Sequence, residues 1–504
     1  MAPAAGSESR FHKLLPRLLP SPHCKIPDSA GMKIQFRKWL ILTHRYLGIP
    51  LSFLFLMWFA SGIAMIFARG MPSLTPDLRL QRLPALDLSA VKLSPAAALE
   101  KAQFDGVPSR AALLTIMGRP AYRFSSRGSV TVFADNGDLL DQVGEREATK
   151  IASAFTALPE TRLRYAGELN EPDQWTFEEA GVLPMHKIVA DDDARTHLYV
   201  SEESAEVEVL TTRGSRALSW FAAIPHWMYF APLRSHGQVW RQVVLWTSGT
   251  GAVLALLGLM LAFTQYATRY GGLMWWHYVT GVAFGVFTLT WVFSGLLSME
   301  PFFWASGGGT GNRIPQALQG GPLNLNAFEK LPAAGMDLKQ IDFLRIQDEP
   351  YFVTHRTDPT PQLISARSLE VRNELFSTDS LLVRVRAGNP QVPIVESALL
   401  ADYDSYYHAT ERHPPLPVLR VKFGDPDATW FYIDPRMSQV VGHFTRRERL
   451  QRWIYHGLHS LDFNFWYYQG WVWTSVMVVL NLGGLVLSTI GVVIGIKRLF
   501  RGVY

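Results

Sequence analysis

The chain has almost no cysteine, since Cys24 is the only one among its 504 residues. One thiol forms no intramolecular disulfide, so the folded regions are expected to hold together by packing alone. The sequence contains no Cys-x-x-Cys-His motif, which excludes covalent attachment of a c-type haem. It also lacks His-Glu-x-x-His and any cysteine cluster, the usual patterns of zinc sites.

Patterns typical of nucleotide and nucleic-acid binding are missing as well. No Gly-x-Gly-x-x-Gly follows a predicted strand and opens a helix, so no dinucleotide-binding domain is predicted. No nucleic-acid-binding pattern is present, and no partner of that class is expected.

Charged residues are scarce in four long apolar segments, 39–68, 240–264, 272–299 and 471–496. Each exceeds the roughly 20 residues that an α-helix needs to cross a bilayer. The stretches between them, 70–235 and 300–465, are polar enough to fold as globular regions. The sequence therefore predicts a membrane protein with four transmembrane helices and two large extramembrane domains.

Basic residues near the spans predict the orientation. They are Arg37, Lys38, Arg45, Arg269, Lys497, Arg498 and Arg501. The positive-inside rule places the flanks that carry them, and hence both termini, in the cytoplasm and both large regions outside. Residues 1–31 are expected to be a disordered cytoplasmic tail, with Met32 as an alternative start, and residues 497–504 a second tail. The first span is too long for a signal-peptide core and is expected to be retained.

The first and third spans share one template. From His44, the next Gly, Trp, Ser and Gly of the template follow at offsets of 4, 14, 17 and 18 residues, and the same offsets recur from His277. The helical spacing places His44, Gly48 and Trp58 on one face of the first span. A polar imidazole in a lipid-crossing helix is costly and usually functional.

A second template precedes the second and fourth spans. Arg213, Arg216, Trp220, His226, Phe230 and Trp240 are matched by Arg446, Arg449, Trp453, His459, Phe463 and Trp473, all 233 residues later. The chain is therefore predicted to contain two parallel repeats related by an axis along the membrane normal. That symmetry pairs His44 with His277 near the cytoplasmic side and His226 with His459 near the outer side.

The extramembrane regions are predicted to be α+β, with about two small modules in each. Alternating apolar residues indicate strands in 120–143, 195–212, 349–371 and 418–444. The segment 93–104 is helical in pattern, with Ser94 as its N-cap.

We interpret the paired histidines as axial ligands of haem iron. Two facing imidazoles leave no open coordination position, which suits electron transfer. The alternative is that these histidines hydrogen-bond to neighbouring helices while the glycines simply pack helices. The matched spacing favours ligation for His44 and His277. His226 and His459 lie outside the apolar cores, and His456 is an alternative to His459.

Other residues of the templates have candidate roles beside a haem. Gly48 and Gly281 remove side chains where a flat macrocycle would press on a helix. Arg216 and Arg449 could pair with haem propionates, or could extend to the lipid headgroups. For Trp58 and Trp291, helix packing is favoured over a role in electron transfer. No catalytic residue is predicted.

Three segments resemble the PepSY-associated transmembrane proteins: HRYLGIPLSFLFLMWFASGIAM, WFAAIPHWMYFAPLR and WFYIDPRMSQVVGHFTRRERLQRWIYHGLHSLDF. The resemblance covers residues 32–504. It implies a bacterial inner-membrane protein with two PepSY-like periplasmic domains, similar to di-haem reductases of ferric siderophores. By the same resemblance, His44, His277, His226 and His459 would bind two b-type haems.

The resemblance also implies a direction of electron flow. Electrons would pass from a cytoplasmic-side donor, such as a reduced flavin, an NAD(P)H-linked protein or a quinol, to ferric iron in the periplasm. Two other functions stay open at this point. The protein could be a non-catalytic PepSY protein that binds or inhibits a periplasmic peptidase, or it could transport an iron chelate.

Overall fold

The structure is a computed structural model. It describes residues 29–68, 70–301, 313–332, 337–358, 360–408, 414–463, 465 and 470–500, with side chains from residue 35 onward. Most of the predicted N-terminal tail, with Cys24, lies outside the described residues. So do residues 501–504 of the predicted C-terminal tail.

Four long apolar helices occupy the predicted spans. TM1 is Ser29–Ala68, TM2 is Gly237–Thr264, TM3 is Leu273–Ser298 and TM4 is Gly470–Phe500. Each helix packs on two others in the cyclic order TM1, TM2, TM3, TM4. TM1 and TM3, which carry the first histidine template, therefore lie diagonally across the bundle.

Aromatic side chains pack the middle of the bundle against glycines. Phe55, Phe59 and Trp291 are buried there with Met477. A Cβ atom added to Gly484 would lie 2.3 Å from the Phe59 ring. The missing side chain thus lets TM4 approach TM1, as small residues do in other membrane bundles.

The first extramembrane region lies between TM1 and TM2. Its strands are β1 Arg110–Ile116, β2 Arg119–Ser125, β3 Ser129–Phe133, β4 Leu163–Leu169, β5 Met185–Ala190, β6 His197–Ser201 and β7 Val207–Thr211. Its α-helices are Pro76–Arg82, Pro95–Ala102, Glu145–Thr156, Arg213–Phe221, Ala223–Trp227 and Ala231–Arg234. The side chain of Ser94 caps the second of these helices by accepting from Ala97 N at 3.2 Å, as the sequence predicts.

The second extramembrane region lies between TM3 and TM4. Its strands are β8 Leu338–Ile346, β9 Glu349–Arg356, β10 Gln362–Ser365, β11 Ile394–Leu400, β12 Val418–Phe423, β13 Trp430–Asp434 and β14 Gln439–Phe444. Its helices are Ile314–Gln319, Thr378–Gly388 and Arg446–Gln451, and a π-helix Arg452–Gly457 follows the last of them. Strand β12 begins and ends 233 residues after β5, the same offset that relates the two copies of each template.

One six-stranded sheet joins the two regions. Its strand order is β10-β9-β8-β1-β2-β3, and β1 pairs antiparallel with β8 so that Leu113 lies opposite Ile341. Tyr122, Phe343 and other fully buried side chains from both regions share the core on one face of this sheet. Each region adds its own four-stranded antiparallel sheet, β4-β5-β6-β7 and β11-β12-β13-β14. The sequence predicted separate modules and did not predict the shared sheet.

Candidate functional site

His44 of TM1 faces His277 of TM3 across the bundle, and we call these two residues the inner pair. Their ring centroids are 6.3 Å apart and their planes are inclined by 48°. Both Nδ1 atoms are buried without a hydrogen-bond partner of ordinary geometry, although His44 lies near the backbone of Leu254. Buried polar atoms are nearly always satisfied, so the unpartnered Nδ1 of His277, opposite a His44 ring that has only the Leu254 backbone beside it, indicates that the inner pair binds a further group.

The inner pair lines a cavity of about 880 Å³. Its walls come from all four transmembrane helices, and it reaches the TM2–TM3 link at Tyr270 and Gly271. The volume lies within the range of roughly 300–1,000 Å³ typical of small-molecule and cofactor sites. The predicted residues Gly48 and Gly281 are in the cavity wall.

Glycines on all four helices shape the surroundings of the inner pair. A Cβ atom added to Gly48 or Gly281 would make ordinary contacts, 3.7 Å and 3.9 Å from leucine methyl groups. At Gly258 of TM2, a Cβ would lie only 3.0 Å from Cε1 of His44, whereas at Gly491 of TM4 it would lie 3.9 Å from Cε1 of His277. Of these four glycines, Gly258 leaves the least space beside a histidine ring, and Gly491 is its repeat counterpart, 233 residues later.

His226 and His459 form a second pair, which we call the outer pair. Their ring centroids are 6.1 Å apart with planes inclined by 65°. His226 lies on the helix Ala223–Trp227, whereas His459 follows the π-helix, so different local structures bring the two rings together. His456 is exposed and packs on Tyr455, so His459 rather than His456 faces His226.

A serine of the transmembrane template contacts each residue of the outer pair. Ser61 Oγ lies 3.2 Å from His226 Nδ1, and Ser294 Oγ lies 3.0 Å from His459 Nδ1. Each serine hydroxyl also donates to the carbonyl of a template tryptophan three residues earlier, at 3.1 Å and 3.0 Å respectively. With its single proton on that carbonyl, each hydroxyl accepts from the imidazole Nδ1–H, and we assign this tautomer because the same tryptophan carbonyl, which can only accept, also lies beside the imidazole. In this tautomer Nε2 of both rings is unprotonated and is able to bind a metal.

The wall beside the outer pair contains a polar residue that the sequence reasoning missed. Asn481 of TM4 is 5% exposed and donates to the Met477 carbonyl at 2.8 Å. A Cβ added to Gly62 would lie 2.8 Å from Asn481 Oδ1 and 3.6 Å from the His226 ring. A lone asparagine in an apolar span was the available signal, since such residues are costly in lipid.

The two pairs are separated by an aromatic layer. Phe55 stacks with Trp58 at 6.2 Å, and Phe59 contacts Trp291 at 5.9 Å. Trp291 is 8% exposed and lies among the buried residues of the bundle. These contacts fit the packing role that the sequence reasoning favoured for both tryptophans.

Arg216 and Arg449 bind the extramembrane sheets. Arg216 Nη1 donates to the Thr211 carbonyl at 3.2 Å, and Arg449 Nη1 donates to the Phe444 carbonyl at 2.9 Å. Each contact spans five residues and ties a helix to the end of the preceding strand. These bonds give both guanidinium groups a structural role. The pairing of Arg216 and Arg449 with haem propionates stays a prediction from the sequence.

Cations that the sequence reasoning used only for orientation line the inner cavity. They are Arg45, Lys497 and Arg498.

A second polar cluster lies beside the segment that carries His459. Buried Arg452 donates to the Asp462 carbonyl at 2.7 Å and to the Ser405 carbonyl. Asp462 Oδ1 in turn lies 3.0 Å from His408 Nε2. Arg452 and Asp462 replace Ser219 and Tyr229 of the first repeat, so a search for matched positions could not find them.

The two histidine pairs fit a metal that takes two imidazole ligands and its other ligands from a cofactor. They do not form a site in which protein side chains alone complete the coordination. Among the described residues, no group of three or more His, Cys, Asp and Glu is placed to hold a metal ion. Metal–imidazole bonds of about 2 Å, with roughly 1 Å more to each ring centre, put two rings about 6 Å apart across one metal. The separations of 6.3 Å and 6.1 Å agree with that arrangement. A haem iron takes its remaining four ligands from the porphyrin, so two histidines complete its coordination.

Comparison with known proteins identifies the family. The family model of the PepSY-associated TM region matches residues 41–498, which run from within TM1 to within TM4 and include both extramembrane regions. A comparison with curated proteins gives no significant match. The matched region covers most of the chain, and the protein belongs to the PepSY-associated transmembrane family.

Proposed function

We propose that this protein is a membrane oxidoreductase that passes electrons through two b-type haems, one bound by the inner pair and one by the outer pair. The mirrored Ser61–His226 and Ser294–His459 contacts carry the proposal. A hydrogen bond that fixes the tautomer of a histidine is the usual support of a metal ligand. Bound haem supplies an iron that accepts and releases one electron at a time.

The residues of the chain hold and separate the two sites. His44 and Ser61 are 17 residues apart on TM1, which is about 25 Å along the helix. The hydrocarbon core of a bilayer is about 30 Å thick, so the two pairs lie near opposite faces. Between the two pairs the bundle is filled by packed aromatic side chains, among them Phe55, Phe59 and Trp291.

The proposed direction of electron transfer follows from the basic residues that flank the transmembrane helices. With the basic flanks in the cytoplasm, the inner pair receives electrons there and the outer pair delivers them on the side of the extramembrane regions, the periplasm of a bacterial inner membrane. The donor is a reduced flavin, an NAD(P)H-linked protein or a quinol. The acceptor is ferric iron or a ferric siderophore, which takes one electron to become ferrous and then binds hard oxygen ligands less tightly. In this proposal both regions are PepSY-like domains and the protein acts as a ferric reductase.

Neither peptidase binding nor transport of an iron chelate requires the paired histidines. A peptidase-binding protein needs the spans only as anchors, and a transporter of iron chelates needs a polar pathway between the repeats. Both would leave the tautomer-fixing serines unexplained.

Electron transfer across a vesicle membrane tests the proposal. Protein in liposomes is given a reduced flavin on the side of the inner pair and a ferric chelate with a ferrous-iron trap on the other side. We expect ferrous iron to form with the wild type and the exposed control His236→Ala, and formation to fall at least tenfold with His44→Ala or His226→Ala. Equal rates in all four proteins would contradict the proposal, as would chelate uptake without donor.

A further inference from the structure

The inner cavity has a polar end on the face that carries the TM2–TM3 link. Gln265, just after TM2, lines this end and is 6% exposed. Its Nε2 is buried without a hydrogen-bond partner among the described residues. A buried amide donor without a partner costs free energy, so its position on a cavity wall indicates a ligand with an acceptor.

The orientation of the Gln265 amide is determined by Arg37. Arg37 Nη2 lies 2.5 Å from the Gln265 oxygen Oε1, and Thr268 Oγ1 lies 3.3 Å from the same atom. A guanidinium group has donors only, so the amide atom that it meets must be the oxygen. Rotating the amide would place two donors against each other, and Nε2 therefore stays on the side without a protein partner.

The opposite wall of the same end is cationic. Arg498 of TM4 is the repeat counterpart of Gln265, 233 residues later, and it also lines the cavity. Arg45 lines this wall too, whereas its counterpart in TM3 is Tyr278. The two repeats thus present a neutral donor, Gln265, and a cation, Arg498, at equivalent positions, and Arg45 and Lys497 add further positive charge to the lining.

We propose that Gln265 and Arg498 form the two sides of a carboxylate-binding end of the cavity and receive the propionates of the haem held by the inner pair. This inference rests on the proposed function. Arginine and amide N–H groups are suitable donors for carboxylate oxygens, and Arg45 adds a second positive charge. A phospholipid phosphate offers the same acceptor chemistry at this face of the membrane, so the test must distinguish the two.

The test uses three measurements on the purified full-length protein. A redox titration gives the midpoint potential of the inner haem, resonance Raman spectra report its propionate bands, and phospholipid analysis reports bound lipid. The variants are Gln265→Leu and Arg498→Leu. The matched control is Arg269→Leu, which removes an exposed cation of the same face that is not among the lining residues. A positive charge or hydrogen-bond donor beside the propionates favours the reduced haem, so both variants should lower its midpoint potential and shift the bands. The control should change neither.

Gln265→Glu provides a second variant that keeps an acceptor for Arg37 but removes the amide donor and adds a negative charge. It should lower the midpoint potential further than Gln265→Leu. Unchanged potentials and bands in haem-loaded variants would overturn the inference and leave the proposed function intact. Loss of co-purified phospholipid with an unaltered haem would overturn it in favour of a lipid site. A wild type without haem would overturn the proposed function and this inference with it.

Discussion

Ser294 Oγ lies 3.0 Å from Nδ1 of His459, and the same contact occurs between Ser61 and His226 in the first repeat. The two serines come from diagonal helices, and the two histidines come from segments with different local folds. An arrangement repeated on such different backbones is expected when the orientation of the imidazole itself is what matters.

Replacing either serine tests this orientation. Ser61→Ala or Ser294→Ala removes an acceptor of the imidazole Nδ1–H, and loss of such support typically weakens metal binding about 10- to 100-fold. We expect the outer haem to be lost during purification while the inner haem stays, as measured by haem content per polypeptide. Ser475→Ala is the control, because this exposed serine donates only to the Trp471 carbonyl at 2.8 Å. Full retention of both haems in the two variants would show that the serine contacts are incidental.

The glycines opposite the inner pair provide a matched comparison. Gly258→Ala places a methyl group 3.0 Å from His44, whereas Gly491→Ala places one 3.9 Å from His277. We expect Gly258→Ala to displace the His44 ring and to shift the low-spin absorption or lower the occupancy of the inner haem. Gly491→Ala, whose methyl also lies 3.3 Å from Ser52 Cβ, should have a smaller effect. Equal effects would mean that the modest difference in distance does not control the site.

The choice between His456 and His459 gives a third test. His459→Ala removes a ring that faces His226 at 6.1 Å, so we expect the outer haem to be lost. His456→Ala removes an exposed ring three residues away, and both haems should remain. Haem content per polypeptide in the two purified variants distinguishes the two histidines. Loss of a haem in His456→Ala but not in His459→Ala would make His456 the ligand.

Much of the site was predictable from the sequence because it depends on spacing along single helices. The four spans follow from apolar length, and the facing of His44 and His277 follows from equal offsets in parallel repeats. The pairing of β1 with β8 was not predictable, because alternation shows which face of a strand is buried but not which distant strand lies beside it. Gln265 and Asn481 were missed as residues of the bundle interior, because each differs from its repeat counterpart, Arg498 and Ser248 respectively.

A buried ion cluster stabilises the first extramembrane region. Glu206 pairs with both Arg79 and Arg123, which lie on the helix Pro76–Arg82 and on β2. Burial acts to raise the pKa of Glu206, but the two guanidinium groups outweigh it and the pKa is lowered. The stabilisation is therefore fully present above the ordinary glutamate pKa of about 4.3 and is lost as pH falls through the lower, folded value.

Glu206→Gln should destabilise this region by about 3–5 kcal/mol, the usual cost of leaving buried charges without their partner. Thermal unfolding at neutral pH, followed by hydrogen exchange of β2 and β7, measures the change. Glu203→Gln, an exposed neighbour that meets only Ser129 at 3.0 Å, should alter stability little. Equal stability of the two variants would contradict the assigned role of the cluster.

Oxidised and dithionite-reduced absorption spectra, with haem content per polypeptide, test the central claim most directly. The wild type purified from haem-replete cells should bind two low-spin b-type haems whose Soret band shifts on reduction. His44→Ala or His277→Ala should remove one haem, and His226→Ala or His459→Ala should remove the other. A colourless wild type, or four variants that each keep both haems, would contradict the account.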